Sequence, residues 1–568
     1  MGIPYVETWG FLNDYRGKSF TGLWPTLPEM YRITVDRYPQ RPCFTIYDPD
    51  RISLNYTEAL KIIEAVARWL HSKGIRRGDR VAVSAKNLPE WTVAYLAVLF
   101  AGGVVVPIDY QLKNEEIDSL IKAAGARMLF IDEEKYEYYA AKPVNLEEVI
   151  SVKKGIGTYI YDLDGPAAEI PQSVETDLAA ILFTSGTTGI PKGVMLTHKN
   201  LVSDVYLAQG TPLIVLHTDV FYAILPIHHS YTMLAVFIET ISTGAEVLFG
   251  KKMVTSQILK DLKQGQVTML LGVPMLFNKV LAGIIRGLKA KGPIVYGLIS
   301  FLMGISGVIK KVFKKNPGKK MFKFILDKAS LSSVRICISG GGPLAPSVFR
   351  KYNQLGIDFV QGYGLTETSP IIAINPIEAY KETSVGRPCP QVDMKILNPD
   401  ERGIGEVIVK GPMVMLGYYN MPEETAASFT ADGYLKTGDL GRMDSDNYLE
   451  LTGRAKNMIV TEGGKNVYPE EIENEFQLYE EIDQILIRGY LLDAKMKTEG
   501  IEALVYPNPE FKNEKSETPS KDDTKKRIDA IITEVNQRLL PYQKILKTVI
   551  LEKPMEMTTT KKIKRGAL

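Results

Sequence analysis

Hydrophobic positions along this chain fall into two alternating rhythms. Short runs of β-branched residues alternate with stretches whose apolar positions recur at helical spacing. The segment RVAVSAKNLPEWTVAYLAVLFAGGVVVPID shows the unit most plainly. It predicts a strand over Arg80–Ser84, a helix over Pro89–Phe100, a stop at Gly102 and Gly103, and a second strand over Val104–Ile108. Such a strand–helix–strand unit implies a parallel sheet covered by helices. The rhythm recurs with a strand over Ala245–Phe249, a helix over Ser256–Lys263 and a strand over Met269–Gly272.

Further along, the texture changes. GEVIVKGP, GYLKTGDLGRMDSDNYLELTGR and KNMIVTEGGKNVYP read as short strands with frequent turns. A boundary is expected near Arg454–Asn457, dividing a large N-terminal domain (1–455) from a small C-terminal domain (456–568). The fold class is α/β: helix-covered, mostly parallel sheets, followed by a small α+β domain. Within the small domain, FKNEKSETPSKDDTKK (Phe511–Lys526) is nearly free of apolar residues and predicts a solvated loop. No internal repeat of fixed period is present.

One stretch breaks the pattern. From Lys279 to Leu326 there is no acidic residue. Inside it IVYGLISFLMGISGVI (Ile294–Ile309) is uncharged, and KKVFKKNPGKKMFKF follows. A spanning helix needs about 20 apolar residues, so this run is short for a crossing. Its three glycines weaken a buried helix. An apolar segment flanked by lysines suits a membrane-surface anchor, with apolar area to bury and cations to meet anionic head groups. The competing reading is a buried helix followed by a solvated basic loop.

Composition changes this picture little. The chain has 568 residues, 45% hydrophobic and 24% charged, as in ordinary globular proteins. A net charge of +2 argues against a nucleic-acid binder or any general polyanion binder. Cys43, Cys337 and Cys389 fit no metal spacing, and they suit burial in a reducing, cytoplasmic setting better than a disulfide framework. The N-terminal residues show no secretory pattern, and Val6 stands where a myristoylation motif needs Ser or Thr.

Three clusters carry candidate chemistry. The first is ILFTSGTTGIPKGVMLTH, where a strand end meets Thr184, Ser185, Gly186, Thr187, Thr188 and Gly189, with Lys192 beyond. Glycine N–H groups can approach an anion closely, hydroxyls add donors, and Lys192 adds a mobile charge, which suits a polyphosphate. A Walker loop needs Gly-Lys-Ser/Thr, and here Lys192 lies between Pro191 and Gly193. The second is ICISGGGPLAP followed by VQGYGLTETSP. Gly340, Gly341 and Gly342 leave room for a flat ring, Tyr363 offers a stacking face, Thr366 a phosphate donor, and Glu367 a carboxylate for Mg²⁺. The third is YLKTGDLG with LTGRAKN, where Asp439 can accept both ribose hydroxyls and Arg454 can pair with sugar or phosphate. Taken singly, the second and third clusters are as well explained by core and turn residues.

Taken together, TSGTTGIPKG, GYGLTE, YLKTGDLG, LTGRAKN and the terminal KKIKR, in this order, resemble the signature set of the adenylate-forming superfamily. That superfamily includes acyl-CoA synthetases, peptide-synthetase adenylation domains and beetle luciferases. The resemblance runs from about Leu54 to Arg565. It implies ATP, Mg²⁺ and CoA as reactants and cofactor, with Thr184 to Lys192 on the β- and γ-phosphates. Gly340 to Gly342 with Gln361, Gly362, Tyr363 and Gly364 would form the adenine pocket. Thr366 would contact the α-phosphate, Glu367 the metal, and Asp439 with Arg454 the ribose. His229 would be the aromatic gate beside the carboxylate, with His228 its neighbour. Lys456 would be the hinge of a mobile C-terminal domain, and Lys562 the lysine that reaches the α-phosphate and substrate carboxylate. Many members have Gly before that lysine where this chain has Lys561, so either lysine could reach the site.

TEGGKNVYPEEIE resembles the loop lining the CoA channel, with Gly463, Gly464 and Lys465 beside the pantetheine. The resemblance is greatest to long-chain fatty acid–CoA ligases, and the basic, apolar insert points the same way. The implied reaction makes an acyl-adenylate with pyrophosphate release, then acyl-CoA. Rival readings are an acyl-AMP ligase loading a carrier protein, a ligase for aryl or short-chain acids, a non-catalytic lipid binder, and a luciferase-like oxygenase.

Overall fold

The structure is a computed structural model. It describes residues 7–141, 144–170, 172–184, 191–211, 213, 215–251, 253–461, 465–493, 498–511, 520–558 and 562–565. Two large sheets and their helices form the N-terminal bulk. The nine-stranded sheet has six parallel central strands: Asp358–Tyr363, Ile336–Ser339, Met269–Gly272, Val220–Ala223, Glu246–Phe249 and Pro42–Ile46. The seven-stranded sheet has five parallel strands, among them Arg80–Ser84, Val104–Pro107 and Leu178–Thr184, followed by the antiparallel strands Lys192–Thr197 and, at the edge, Gly417–Tyr418. Parallel strands buried on both faces read as continuous apolar runs, and the Val104–Pro107 strand is buried throughout.

The unit over residues 80–108 forms as its pattern predicts. Pro89–Phe100 is a helix with Pro at its first turn, and all twelve of its residues are buried. Burial on every side explains why it is apolar on every side. Its single acid, Glu90, accepts a hydrogen bond from Tyr159 at 3.0 Å. The strand after it ends at Pro107 rather than Ile108. All three cysteines are free and buried.

Two expectations are corrected. Lys521–Lys526 is not loop: Ser520 accepts from the Asp523 N–H and caps a helix over Lys521–Arg538. Its first turns are polar because they face water, and Ile528, Ile531, Ile532 and Val535 supply the buried stripe further on. The apolar insert is also longer than its uncharged run, forming one helix over Pro293–Phe313, neither buried nor cut by its glycines.

A smaller C-terminal unit holds a three-stranded sheet, Ile482–Asp493, Thr498–Pro507 and Lys547–Ile550, with the Lys521–Arg538 helix packed on it through a separate core. It meets the larger part through Gln477. That amide donates to the Pro343 carbonyl at 3.0 Å and accepts from Ala345 N–H at 2.8 Å and Asn278 at 3.3 Å. Arg286–Glu480 at 3.2 Å adds an exposed ion pair.

The large core contains a carboxyl the site does not use. Glu239 is buried after a π-helical turn at Met233–Ile238. Burial raises its pKa to about 8, and a hydrogen bond with Gln209 opposes the shift. A folded pKa above the unfolded value gives stability that is present at low pH and lost as pH rises through the folded pKa. Glu239→Gln therefore gains on wild type as pH rises from about 4.5 to about 8, by on the order of 3 kcal/mol. Melting temperatures at the two ends of that range check it, and a difference that does not grow with pH refutes it.

Candidate active site

In a parallel sheet, ligands gather at the carboxyl ends of the strands. Here two neighbouring strands, paired Ser339 to Gln361, carry the expected residues there. One runs into Gly340, Gly341 and Gly342, and the other ends in Gln361, Gly362 and Tyr363. Gly341 has φ +77°, a conformation that favours glycine. A Cβ on Gly364 would lie 1.4 Å from the Pro370 carbonyl oxygen, so the chain turns there only without a side chain.

A polar relay leaves this edge. The Tyr363 hydroxyl donates to Asp439 Oδ2 at 2.8 Å, and Arg454 Nε lies 2.8 Å from Asp439 Oδ1. Asp439 and Arg454 face each other in an antiparallel ladder, which fixes the ion pair. Burial raises the Asp439 pKa, against the opposing pull of Arg454 and the Tyr363 hydroxyl. The buried carboxylate is thus held in place by two donors.

A second relay begins two residues past Gly364. Thr366 and Ser230 hydroxyls are 3.1 Å apart. Glu367 Oε1 accepts from the Tyr418 hydroxyl at 2.9 Å. Tyr418 pairs with Val194 in the strand that begins at Lys192. Lys192 Nζ lies 5.0 Å from the Tyr418 ring and 2.7 Å from Glu424 Oε2. Thr184 and Lys192 face each other across the ladder, so the hydroxyl- and glycine-rich stretch between them is a connection closed at its neck. Ser185, Gly186, Thr187, Thr188 and Gly189 lie outside the described residues, as do Gly463, Gly464 and Lys561.

His229 and His228 lie beside the second relay, their ring centroids 5.0 Å apart. His228 Nε2 is 3.7 Å from Asp109 Oδ2. Burial pushes both imidazoles down to about 3, so both are neutral near pH 7. The charge of Lys562, near the end of the chain, adds a smaller downward push on His229, so the two lie within electrostatic reach.

Lys562 sits on a tight hairpin. Its carbonyl accepts from Thr558 N–H at 2.8 Å, and its N–H donates to the Thr558 hydroxyl at 3.1 Å. Three residues on, Arg565 is clamped by Glu473 at 2.6 Å and by the Ile487 carbonyl at 2.9 Å. The Lys562 residue is exposed by area, yet desolvation, then Arg454, lower its pKa while Asp439 raises it. Both hold when the ammonium enters a crowded but wet cleft. Lys456, on the 3-10 turn Ala455–Asn457, has a pKa lowered by burial, Arg454 and Arg565. Lys465 is exposed, its carbonyl accepting from Thr461.

Sequence reasoning missed Ser230, Tyr418, Glu424 and Asp109. Ser230 follows His229 directly, so adjacency was a signal for it, whereas Tyr418, in GYYN, stands apart from every predicted motif. Nothing in the sequence announces Glu424.

The sequence profile of the family described as AMP-binding enzyme matches residues 31–419. The chain is 29% identical to a long-chain-fatty-acid–CoA ligase of Bacillus subtilis, covering 96% of this chain and 94% of that protein. It is 30% identical to a feruloyl-CoA synthase of an Amycolatopsis species, over 77% of this chain and 80% of that one. Its fold superposes on the crystal structure of ATP-bound MatB from Rhodopseudomonas palustris with a TM-score of 0.75 and 26% identity, covering 96% and 98% of the two chains. The matched span holds the strand-edge glycines and the Thr366–Glu367 relay; this chain belongs to the AMP-binding enzyme family.

Proposed function

We propose that the protein is an acid–thiol ligase that converts a long-chain fatty acid to its acyl-adenylate and then to acyl-CoA. The observation that carries this reading is the convergence on one cleft of Tyr363, Asp439 and Arg454 with the charge of Lys562 from the far end of the chain. Relatives named for fatty-acid ligation support the acid.

Asp439 accepts the ribose hydroxyls while Arg454 and Tyr363 hold it. Gly340 to Gly342 and Gln361 to Gly364 take the adenine, with Tyr363 beneath it. Lys192 and the Thr184–Lys192 connection hold the β- and γ-phosphates. A carboxylate oxygen of the acid attacks the α-phosphorus, and the bond to pyrophosphate breaks. Negative charge grows on phosphoryl oxygens, where Lys562 and Thr366 stabilise it and Lys192 steadies the leaving group. His229, neutral, borders the acyl carboxylate without competing for charge.

Among the described residues no group of three or more His, Cys, Asp or Glu could hold a metal. Glu367 offers a single carboxylate with one oxygen engaged by Tyr418, which fits Mg²⁺, an ion that completes its shell from phosphate oxygens and water. Bound there, Mg²⁺ would neutralise phosphate charge. In the second half-reaction the small domain turns about Lys456 and withdraws Lys562. The CoA sulfur, its proton lost to water, attacks the acyl carbonyl along the Gly463–Lys465 segment, and AMP leaves.

We place the enzyme in the cytoplasm, with peripheral contact to the membrane through residues 279–326. The test is ATP- and CoA-dependent thioester formation across acids from acetate to oleate, with ferulate included. The reading expects AMP and pyrophosphate as products and the highest kcat/KM on long chains. A preference for ferulate would favour the aryl alternative that the feruloyl-CoA synthase likeness supports, and transfer to acyl-carrier protein but not CoA would favour the carrier-loading one.

Lys192 is tied to Glu424 in this structure. Nucleotide binding must break that pair, and an ion pair this exposed is worth up to about 1 kcal/mol. Glu424→Gln therefore lowers KM for ATP about twofold to fivefold with kcat little changed. An unchanged or raised KM refutes the competition.

A further inference from the structure

The helix Pro293–Phe313 lies on the surface with two unlike faces. Ile299, Met303, Ser306 and Lys310 are its buried side. On the other side Ile294, Leu298, Phe301, Ile305, Val308 and Val312 are all exposed, Ile294 by 85% and Phe301 by 67%. Their spacing of four and three in turn puts them on one stripe, opposite the buried one. Six large apolar side chains in line facing water over about 30 Å of helix is more than a monomer's surface ordinarily carries.

The charges around the stripe are of one sign. Lys289, Lys291, Lys311, Lys315, Lys320 and Lys323 are exposed, and among the described residues no carboxylate lies within salt-bridge distance of them. The other cations of the segment are used to hold the helix down. Lys310 Nζ is buried against Asp358 Oδ1 at 2.6 Å and Asn353 Oδ1 at 2.8 Å. Asn316, just past the helix, donates to the Gly356 carbonyl at 2.9 Å. Lys279 and Arg286, on the preceding helix Pro274–Lys289, pair with Asp483 and Glu480 of the C-terminal unit.

We propose that Pro293–Phe313 is an in-plane anchor that seats the enzyme on an anionic lipid bilayer, stripe downward and lysines among the head groups. By length and composition the helix could cross a membrane. Its inner face and its exit are bonded to the body, so crossing would tear out Lys310 and Asn316. Lying flat, it buries the stripe in the acyl boundary and leaves those bonds intact. The lysine rim selects an anionic surface over a neutral one. This anchor deepens the functional reading above and rests on it only for the benefit it brings, since long-chain acids partition into the same bilayer.

The test is cosedimentation of the full-length protein with vesicles of phosphatidylcholine mixed with phosphatidylserine, against phosphatidylcholine alone. Binding is expected to the anionic vesicles and to weaken as salt rises from about 0.1 M to about 1 M, where the screening length falls from about 10 Å to about 3 Å. Phe301→Glu with Val308→Glu should reduce partitioning at least about tenfold. Lys311→Gln with Lys315→Gln and Lys323→Gln should remove the preference for anionic vesicles. Unchanged melting temperature and unchanged turnover of monomeric octanoate show that the variants fold. No binding by the wild type, binding unaffected by the stripe substitutions, or a dimer that the Phe301→Glu, Val308→Glu variant dissolves would each overturn the anchor. Vesicle binding without thioester formation from any fatty acid refutes the substrate reading and leaves the anchor supported. Thioester formation without vesicle binding does the reverse.

Discussion

Lys562→Ala lowers fatty-acid-dependent pyrophosphate release by about a hundredfold to a thousandfold, while thioester formation from supplied acyl-adenylate continues. The size follows from removing one positioned cation from a transition state whose charge sits on phosphoryl oxygens. The selectivity follows from place. The ammonium is felt by Asp439, Arg454 and His229, all of the larger part of the molecule, yet its hairpin belongs to the small C-terminal unit. In the proposed cycle that unit turns away after adenylation, so the lysine serves only one half-reaction. The lysine is exposed and its hairpin is closed by backbone bonds, so melting temperature should hardly move. Lys561→Ala is the necessary companion, since adjacent lysines share the sequence signal. Equal loss of both half-reactions in Lys562→Ala, or the larger loss in Lys561→Ala, would sink the assignment.

Asp439→Asn raises KM for ATP about tenfold to a hundredfold. Its carboxylate is addressed by both Tyr363 and Arg454, and hydrogen bonds to a charged acceptor are worth roughly 1.5–3 kcal/mol. Asparagine keeps the shape and gives up the charge. Stability separates this from misfolding. Burial raises the Asp439 pKa, so ionising it works against the fold as pH rises. Asp439→Asn should therefore gain stability relative to wild type as pH rises from the ordinary carboxylate value through the raised one. A variant that loses ATP affinity and melts earlier at pH 8 would show instead that Asp439 is structural.

Local chemistry made much of this molecule legible. The helix Pro89–Phe100 follows from an unbroken apolar run begun by Pro, because that element is buried all round and needs nothing distant to define it. Asp439 and Arg454 shared one cluster in the sequence, but their direct pairing and the contact with the distant Tyr363 follow only from the folded sheets, which set Asp439 opposite Arg454 and 2.8 Å from the Tyr363 hydroxyl. Glu424 lies 232 residues from Lys192, and only the sheet that joins Lys192–Thr197 to Gly417–Tyr418 brings them together. The Lys521–Arg538 helix was hidden for a different reason: its exposed first turns carry a loop-like composition, and its apolar stripe starts at Ile528. In the insert, glycines at 297, 304 and 307 argued against a buried helix, and a surface helix with one packed side tolerates them, two facing open space.

The Gln477 contact has a thermodynamic consequence. A primary amide donates and accepts at once, and each of its three bonds across the seam, to Pro343, Ala345 and Asn278, is one that water can replace in kind. Neighbouring Leu478 supplies the apolar part of the same seam. Undocking the small unit therefore exposes little hydrocarbon, and its heat-capacity change should be far smaller than that of unfolding. With hydrogen bonds exchanged in kind the enthalpy change is small as well, so the docking balance shifts little with temperature, and in the proposed cycle neither domain position freezes out in the cold.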